Sequence, residues 1–392
     1  MEELSYVIIT PHSIRKSRTG GIIARLLSRT GLDLARARMF APSRELVSRY
    51  AETIGVDPEP RHRAAQEVLK KYLLEKFSPD ASGYRPRVLF LVFRGENAVE
   101  KIRNAVGHIV NERTSGETIR DTYGDYVTDR EGHCIYFEPA ALAPQDGEAA
   151  TRDLKLWAEF SESDGGLLDS VVQFPPDSNV QKTLVLIKPD LFRFPSARPG
   201  GVIDLFSRTG LYIVAAKLHS MSVAQAEEFY GPVLDVLKDK LREPYGARAR
   251  LAIENEFGYP LTDDIQKQLG NLLGPGAGRK NWEDIVKFMS GIRPSECPAE
   301  HRTEPGTEKC LALVYQGVDA VRKIREVLGP TDPSKAPPGS IRKEFGQTIM
   351  VNAAHASDAP ENAEREMKII KITENNFREL IDSHFGKGPK RR

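Results

Sequence analysis

The sequence predicts an α+β chain of two tandem ferredoxin-like (βαββαβ) domains, each an antiparallel sheet covered by helices. Three observations predict it. Gly20-Gly21-Ile-Ile-Ala-Arg-Leu-Leu-Ser-Arg-Thr-Gly31 returns as Gly200-Gly201-Val-Ile-Asp-Leu-Phe-Ser-Arg-Thr-Gly210 at an offset of about 180 residues. Leu89-Phe-Leu-Val-Phe-Arg-Gly95 returns as Leu311-Ala-Leu-Val-Tyr-Gln-Gly317 at an offset of about 222, with Lys101-Ile-Arg103 and Lys323-Ile-Arg325 following. Each copy also reads as two β-α-β units with extra helices, the split arrangement that buries one sheet face under helices.

Each copy opens on a short β run, Ser5 to Thr10 or Thr183 to Lys188, and a helix follows the Gly-Gly pair. A second β run covers Asp33 to Phe40 or Tyr212 to Leu218, then a helix ends near Tyr50 or Tyr230. After further helical material come the Leu-x-Leu-Val strand, a helix (Asn97 to Val106, Asp319 to Leu328) and a last strand. In the second copy that strand is expected over Phe345 to Val351, running into Asn352-Ala353-Ala354-His355-Ala356-Ser357-Asp358. Pro360 suits the first turn of the next helix, and Asp358 with Glu361 reads as its capping box. Phe377, Leu380, Ile381 and Phe385 place a packing helix over Thr373 to Phe385.

The chain has 392 residues, 40% of them hydrophobic, which supplies ordinary cores for two or more domains. A formal net charge of +1 gives no global field toward nucleic acid or membrane. Three cysteines, Cys134, Cys297 and Cys310, make neither a disulfide framework nor a metal cluster. The N-terminal MEELSYVIIT lacks a basic segment before an apolar run, so a soluble cytoplasmic protein is expected, with no membrane and no specific nucleic-acid partner.

His355 sits between small alanines at a strand-to-helix crossing, and Glu366, two turns into the helix, is placed to fix its tautomer. Upstream lie Lys188-Pro189-Asp190, Arg325, Thr331 and Arg342. Cations and a hydroxyl of this kind suit a phosphate chain and a transferring phosphoryl group.

These residues, in this order and spacing, resemble the nucleoside diphosphate kinase family. Its strand ends in lysine-proline-aspartate, its histidine stands in an Asn-x-x-His-Gly/Ala-Ser-Asp motif, and its glutamate lies eleven residues beyond the histidine. Here those are Lys188 to Asp190, Asn352 to Asp358, and Glu366. The resemblance implies ping-pong transfer of the terminal phosphate through phospho-His355, with Mg2+ as cofactor and with nucleoside triphosphates and diphosphates (ATP, GTP, GDP) as partners. It implies that Lys188 and Arg325 hold terminal oxygens, Arg342 and Thr331 the diphosphate, and Asn352 the sugar. Ser357 and Glu366 would orient the imidazole and the attacked oxygens, Tyr230 would help position phosphate, and Trp282 would stack on the base, one position beyond Asn281, the strict equivalent in the match. Because the family's subunits are single domains, the tandem suggests that one chain replaces two of them within a homo-oligomer.

The first copy diverges at these positions. Lysine-proline-aspartate becomes Thr10-Pro11-His12, the arginine positions persist as Arg103 and Arg120, and the threonine position is Ile109. An ungapped match places His133 at the nucleophile. Thr128-Asp-Arg-Glu-Gly132 reads instead as a hairpin turn before a strand Cys134 to Phe137, which puts the motif in Tyr136 to Pro139 with Glu138 near the nucleophile position. A degenerate domain is expected.

The domains are accordingly 1–142 (degenerate), 143–180 (linker, with a short helix Asp153 to Phe160), 181–386 (catalytic) and 387–392 (basic tail). The second domain carries about 42 extra residues within 231–309, where Thr262 to Leu273 reads as helix and Gly274 to Gly278 as a flexible loop. Two alternatives stand beside the kinase: a non-catalytic nucleotide sensor or scaffold whose cleft the insertion covers, and a phosphohistidine relay to a protein partner.

Overall fold

The computed structural model describes residues 2–55, 60–109, 116–131, 133–169 and 171–386. The basic tail 387–392 and Gly132 lie outside them. Two compact units result, one of Met1–Leu218 with Leu311–Arg392 and one of His219–Cys310.

The first copy runs β1 (Glu2–Ile9), α1 (Pro11–Arg15), α2 (Thr19–Thr30), β2 (Asp33–Phe40), α3 (Arg44–Glu52), α4 (Pro60–Lys76), β3 (Val88–Glu96), α5 (Ala98–Val106), α6 (Ile119–Tyr123), β4 (Asp125–Thr128), β5 (Cys134–Glu138), β6 (Ala141–Leu142) and α7 (Gly147–Glu159). The second runs β7 (Val180–Ile187), α8 (Arg198–Ser207), β8 (Tyr212–His219), α9 (Val223–Lys240), α10 (Arg242–Phe257), α11 (Asp263–Ser290), β9 (Cys310–Val318), α12 (Ala320–Leu328), α13 (Ile341–Phe345), β10 (Ala354–Ala356), α14 (Pro360–Ile369) and α15 (Asn376–Phe385). The sheets are ordered β2-β3-β1-β6 and β10-β7-β9-β8. In each, the copy's first strand is central with the fourth on one side and the third on the other, which is the ferredoxin-like order in both.

The repeated Gly-Gly pairs have a packing reason. Helices α2 and α8 cross at Gly20 and Gly200, where a methyl group on Gly20 would stand 2.5 Å from the carbonyl oxygen of Gly200. The two copies therefore meet backbone to backbone, and any side chain there would force them apart.

The last helix of the chain completes the core of the first copy. Phe377 of α15 is fully buried, with its ring centroid 5.6 Å from Phe40 and 5.1 Å from Phe90, and Trp157 of α7 joins the same cluster. Burying such a ring contributes about 1.5–3 kcal/mol. Arg36 Nε donates to the Asn376 carbonyl (2.7 Å), and Lys217 Nζ reaches the Glu374 carboxylate (3.0 Å), so polar contacts fix the same clasp.

Four expectations change. The stretch read as a linker carries α7, whose Asp146 cap accepts from Ala149 N and whose Trp157 is 1% exposed; it is the last helix of the first copy. The strand expected at Phe345 to Val351 is absent, because α13 ends at Phe345 and the amides of Gln347 and Thr348 both turn onto the Val351 carbonyl. The strand forms three residues later, so that it contains His355. The capping box at Asp358 does not form: Ala359 is the N-cap of α14, and Asp358 instead accepts from the Asn362 side chain. Pro360 does occupy the first turn.

The fourth change is in the helical unit. The helix through Tyr230 does not end there but continues as α9 to Lys240, after a capping box of Ser222 and Gln225. After the single residue Leu241 comes α10, and α11 packs against both. Gly274 to Gly278 is not a loop; it lies inside the 28-residue α11. Methyl groups on Gly270, Gly274 and Gly278 would approach the Arg242 carbonyl, Arg242 Cα and Lys238 Cα to 2.5, 2.7 and 2.5 Å. Close helix contact, which glycine alone allows there, outweighs its poor helix propensity.

Candidate active site

Strand β10 pairs antiparallel with β7, with His355 opposite Leu186. Alternation along the strand buries Ala354 and Ala356 and turns His355 to the other face, where its side chain is 23% exposed. Ala353 enters this strand with φ of 72°, in the left-handed region, which aims the following residues. Glu366 reaches back from α14, its side chain 6% exposed. Its Oε2 lies 2.9 Å from His355 Nε2 and accepts from Ser357 Oγ at 2.6 Å, while Oε1 faces the Arg365 guanidinium at 3.7 Å. One carboxylate oxygen thus orients both the imidazole and the serine.

Lys188 ends β7. Its backbone N–H donates to the Ala353 carbonyl (2.9 Å), and its Nζ donates to the Met350 carbonyl (2.6 Å) and Asn352 Oδ1 (2.9 Å). Burial lowers this ammonium to about 8; Asp190 pulls it back up, and the charge of Arg342 adds to the depression. Burial likewise holds Asp190 above the ordinary carboxylate range, with Lys188 opposing. Arg342 donates to the Gly329 carbonyl (3.0 Å) and the Ala354 carbonyl (3.2 Å), which pins the loop before α13 to the histidine strand. Arg325 is exposed at the end of α12, and its charge, after the Asn362 hydrogen bond, helps lower Asp358.

Two expected roles are revised. Asn352 is 2% exposed, and its amide donates to the Thr331 and Ile349 carbonyls while accepting from Lys188. It braces the lysine and the Thr331 loop. Trp282 is 7% exposed, and its indole N–H donates to the Tyr230 carbonyl at 3.0 Å, so it anchors α11 to α9 and has no open face for a base. Tyr230 itself is 8% exposed within the helical unit. Thr331 is exposed beside the Asn352 bracket.

The first copy can be set on this frame by its register. Ile9 pairs with Ala141 as Ile187 pairs with Ala354, and Thr10 N–H donates to Ala140 as Lys188 N–H does to Ala353. Ala140, like Ala353, has a left-handed φ, of 59°. The nucleophile position is therefore Leu142, opposite Ile8, and not Glu138 or His133. The hairpin of β4 and β5 forms as expected, but it precedes the motif. Asp153 falls where Glu366 stands, eleven residues on. A signal for this was present: Ala140-Ala141-Leu142-Ala143 repeats Ala353-Ala354-His355-Ala356.

A split ferredoxin-like sheet carries a carboxylate-held histidine, with Lys188 bonded to the segment that leads into its strand and Arg342 to the strand itself, an arrangement suited to handling phosphate. The match to the nucleoside diphosphate kinase family model covers residues 3–159 and 303–375, and the chain belongs to that family of kinases. Nucleoside diphosphate kinase 2 of Protochlamydia amoebophila is 31% identical over 189 residues, 48% of this chain and 90% of the relative. The nucleoside diphosphate kinase of Halorhodospira halophila is 29% identical over 191 residues, 49% of this chain and 92% of the relative. An NDP kinase structure from Pyrobaculum aerophilum is 29% identical with a TM-score of 0.33, covering 48% of this chain and 94% of that one. No helix among the described residues is long and apolar enough to cross a membrane.

Proposed function

We propose that the second copy moves the terminal phosphate of a nucleoside triphosphate to a nucleoside diphosphate by a ping-pong route through phospho-His355. The observation that carries this reading is the shared Glu366 oxygen, 2.9 Å from His355 Nε2 and 2.6 Å from Ser357 Oγ. A proton on Nε2, donated to the carboxylate, leaves the lone pair on Nδ1. Nδ1 attacks the terminal phosphorus in line, the N–P bond forms, and the bond to the bridging oxygen breaks with release of the diphosphate. Glu366 stabilises the positive charge that the ring gains. A second diphosphate then attacks the phosphohistidine with its terminal oxygen and restores the neutral ring.

Positioning and charge carry such a transfer. Lys188, Arg325 and Arg342 supply the cations and Thr331 a hydroxyl; Asn352 holds Lys188 in place. The donor set fits a cation held through phosphates: Glu366 is already engaged twice, and among the described residues the cluster able to ligate a metal is the exposed Asp129, Glu131 and His133 of the hairpin. Mg2+ arriving with the nucleotide would neutralise phosphate charge.

We assign no turnover to the first copy, because Leu142 replaces the nucleophile and Thr10 the lysine. Its domain then extends through α7, the second domain comprises residues 181–386, and a homo-oligomer in the cytoplasm completes the reading. The test is a pulse of terminally labelled ATP with Mg2+, followed by a GDP chase. Acid-labile label that is lost in His355→Ala and chases into GTP is expected; nucleotide binding without label would overturn the proposal in favour of a sensor.

A further inference from the structure

We propose that the first copy holds a small tetrahedral oxyanion, orthophosphate or the phosphoryl group of a phosphate ester, in a cavity where α1, the end of α4 and the loop into β3 meet, with Arg15, Lys76 and Arg87 as its cations. This inference does not depend on the phosphotransfer reading. It begins with a buried charge. Arg87, the residue before β3, lines the cavity and is 6% exposed. Its Nη1 donates to the Ile213 carbonyl, and its guanidinium lies 5.1 Å from the centre of the Tyr212 ring, so part of the group ties the first copy to β8 of the second. Its Nε, also buried, has no acceptor. The groups that act on its charge are the phenols of Tyr84 and Tyr212, and among the described residues no carboxylate joins them. A guanidinium taken out of water ordinarily meets an anion, because its desolvation otherwise goes uncompensated.

The cavity has a volume of about 240 Å³. That lies below the roughly 300–1,000 Å³ of pockets for drug-sized ligands and favours a small ion over a nucleotide. Arg15 ends α1 and Lys76 ends α4; both line the cavity, both are exposed, and neither forms an ion pair among the described residues. The two carboxylates of the lining already have partners. Glu75 pairs with Lys71 (3.9 Å), and Asp80 accepts from Ser82 Oγ (2.7 Å) and from the Ser82 and Tyr84 amides (2.9 and 3.0 Å). Three cations therefore share one cavity, two of them unpaired and the third buried. Ser78 and Tyr84 bring hydroxyl groups to the same lining. Guanidinium, ammonium and hydroxyl donors are the set that charge-assisted recognition of a phosphate group uses, with the arginines able to offer two parallel N–H bonds each.

Crystals of the full chain soaked in tungstate, a tetrahedral oxyanion located by its anomalous scattering, test this together with equilibrium dialysis of radiolabelled orthophosphate. A tungstate peak among Arg15, Lys76 and Arg87 is expected. In solution, Arg15→Glu and Lys76→Glu, both at exposed positions that leave the core intact, should each weaken one class of orthophosphate site at least about 10-fold, as loss of a charge-assisted hydrogen bond does. Methyl phosphate as competitor separates the two sources: displacement of orthophosphate from that class assigns the cavity to phosphate esters as well, and no displacement assigns it to the free ion. The proposal is overturned by the absence of a peak in this cavity, or by orthophosphate binding that both variants leave unchanged.

Discussion

The two copies share a hydrogen-bonded frame and differ in what that frame holds. Arg120 donates to the Gly107 and Ala141 carbonyls, as Arg342 does to Gly329 and Ala354. Yet Arg120 stands in a copy with Leu142 at the nucleophile position, and burial has pushed it down to about 10. This arginine is thus a clamp between a loop and the last strand before it is a phosphate ligand, which is why it outlives the chemistry. The carboxylate position shows the opposite. In the second copy Glu366 serves His355 and Ser357; in the first, Asp153 accepts from Tyr6 (2.8 Å), whose hydroxyl lies 3.1 Å from that of Tyr50. Burial raises Asp153 and Tyr50 above their ordinary ranges. Glu138, for its part, is engaged by Tyr72 (2.7 Å) and His12 (3.5 Å).

Substitutions that make the copies more alike, or separate them, sharpen this contrast. The largest effect is expected from His355→Ala, which should abolish acid-labile phosphorylation and lower nucleotide exchange by about 10⁴-fold or more, as loss of a covalent nucleophile does; Leu142→His should restore none of it. Phe377→Ala should cost about 3–5 kcal/mol in chemical denaturation, because it opens a cavity in the first copy's core from the end of the second. Lys188→Thr, which copies the first domain, should lower kcat/KM for exchange by about 10²–10³-fold.

In the unaltered chain, kcat/KM should fall as pH rises through about 8, where Lys188 loses its proton, and this limb should vanish in Lys188→Thr. The stability contribution has the opposite sign. The folded value lies below the ordinary 10.5, so the unfolded chain binds more protons between about 8 and 10.5, and Lys188 then favours folding more as pH rises. The smallest change is expected from Gly20→Ala, about 1–3 kcal/mol by overpacking, read as a lower denaturant midpoint.

Much of the site was legible as spacing. Lys188, His355, Ser357 and Glu366 come together because a strand end, a neighbouring strand and the helix after it are local objects whose geometry follows from residue counts. Asn352 and Trp282 were legible as motif members but not as to where their side chains point, since that depends on the Lys188 ammonium and the Tyr230 carbonyl, 164 and 52 residues away. The glycine run of α11 misled for a related reason: propensity reads each glycine alone, while the neighbouring helices decide whether backbone contact outweighs it.

By itself, then, the sequence determined the duplication, the two sheets and the order of the candidate site residues, because repeats and periodicity are properties of the chain. Tertiary structure decided the rest. Strand register put Leu142, rather than Glu138, at the nucleophile position of the first copy; the clasp of α15 gave that copy a core it could not complete from its own residues. Register and packing depend on which distant groups meet, and a one-residue shift in pairing turns every side chain to the other face.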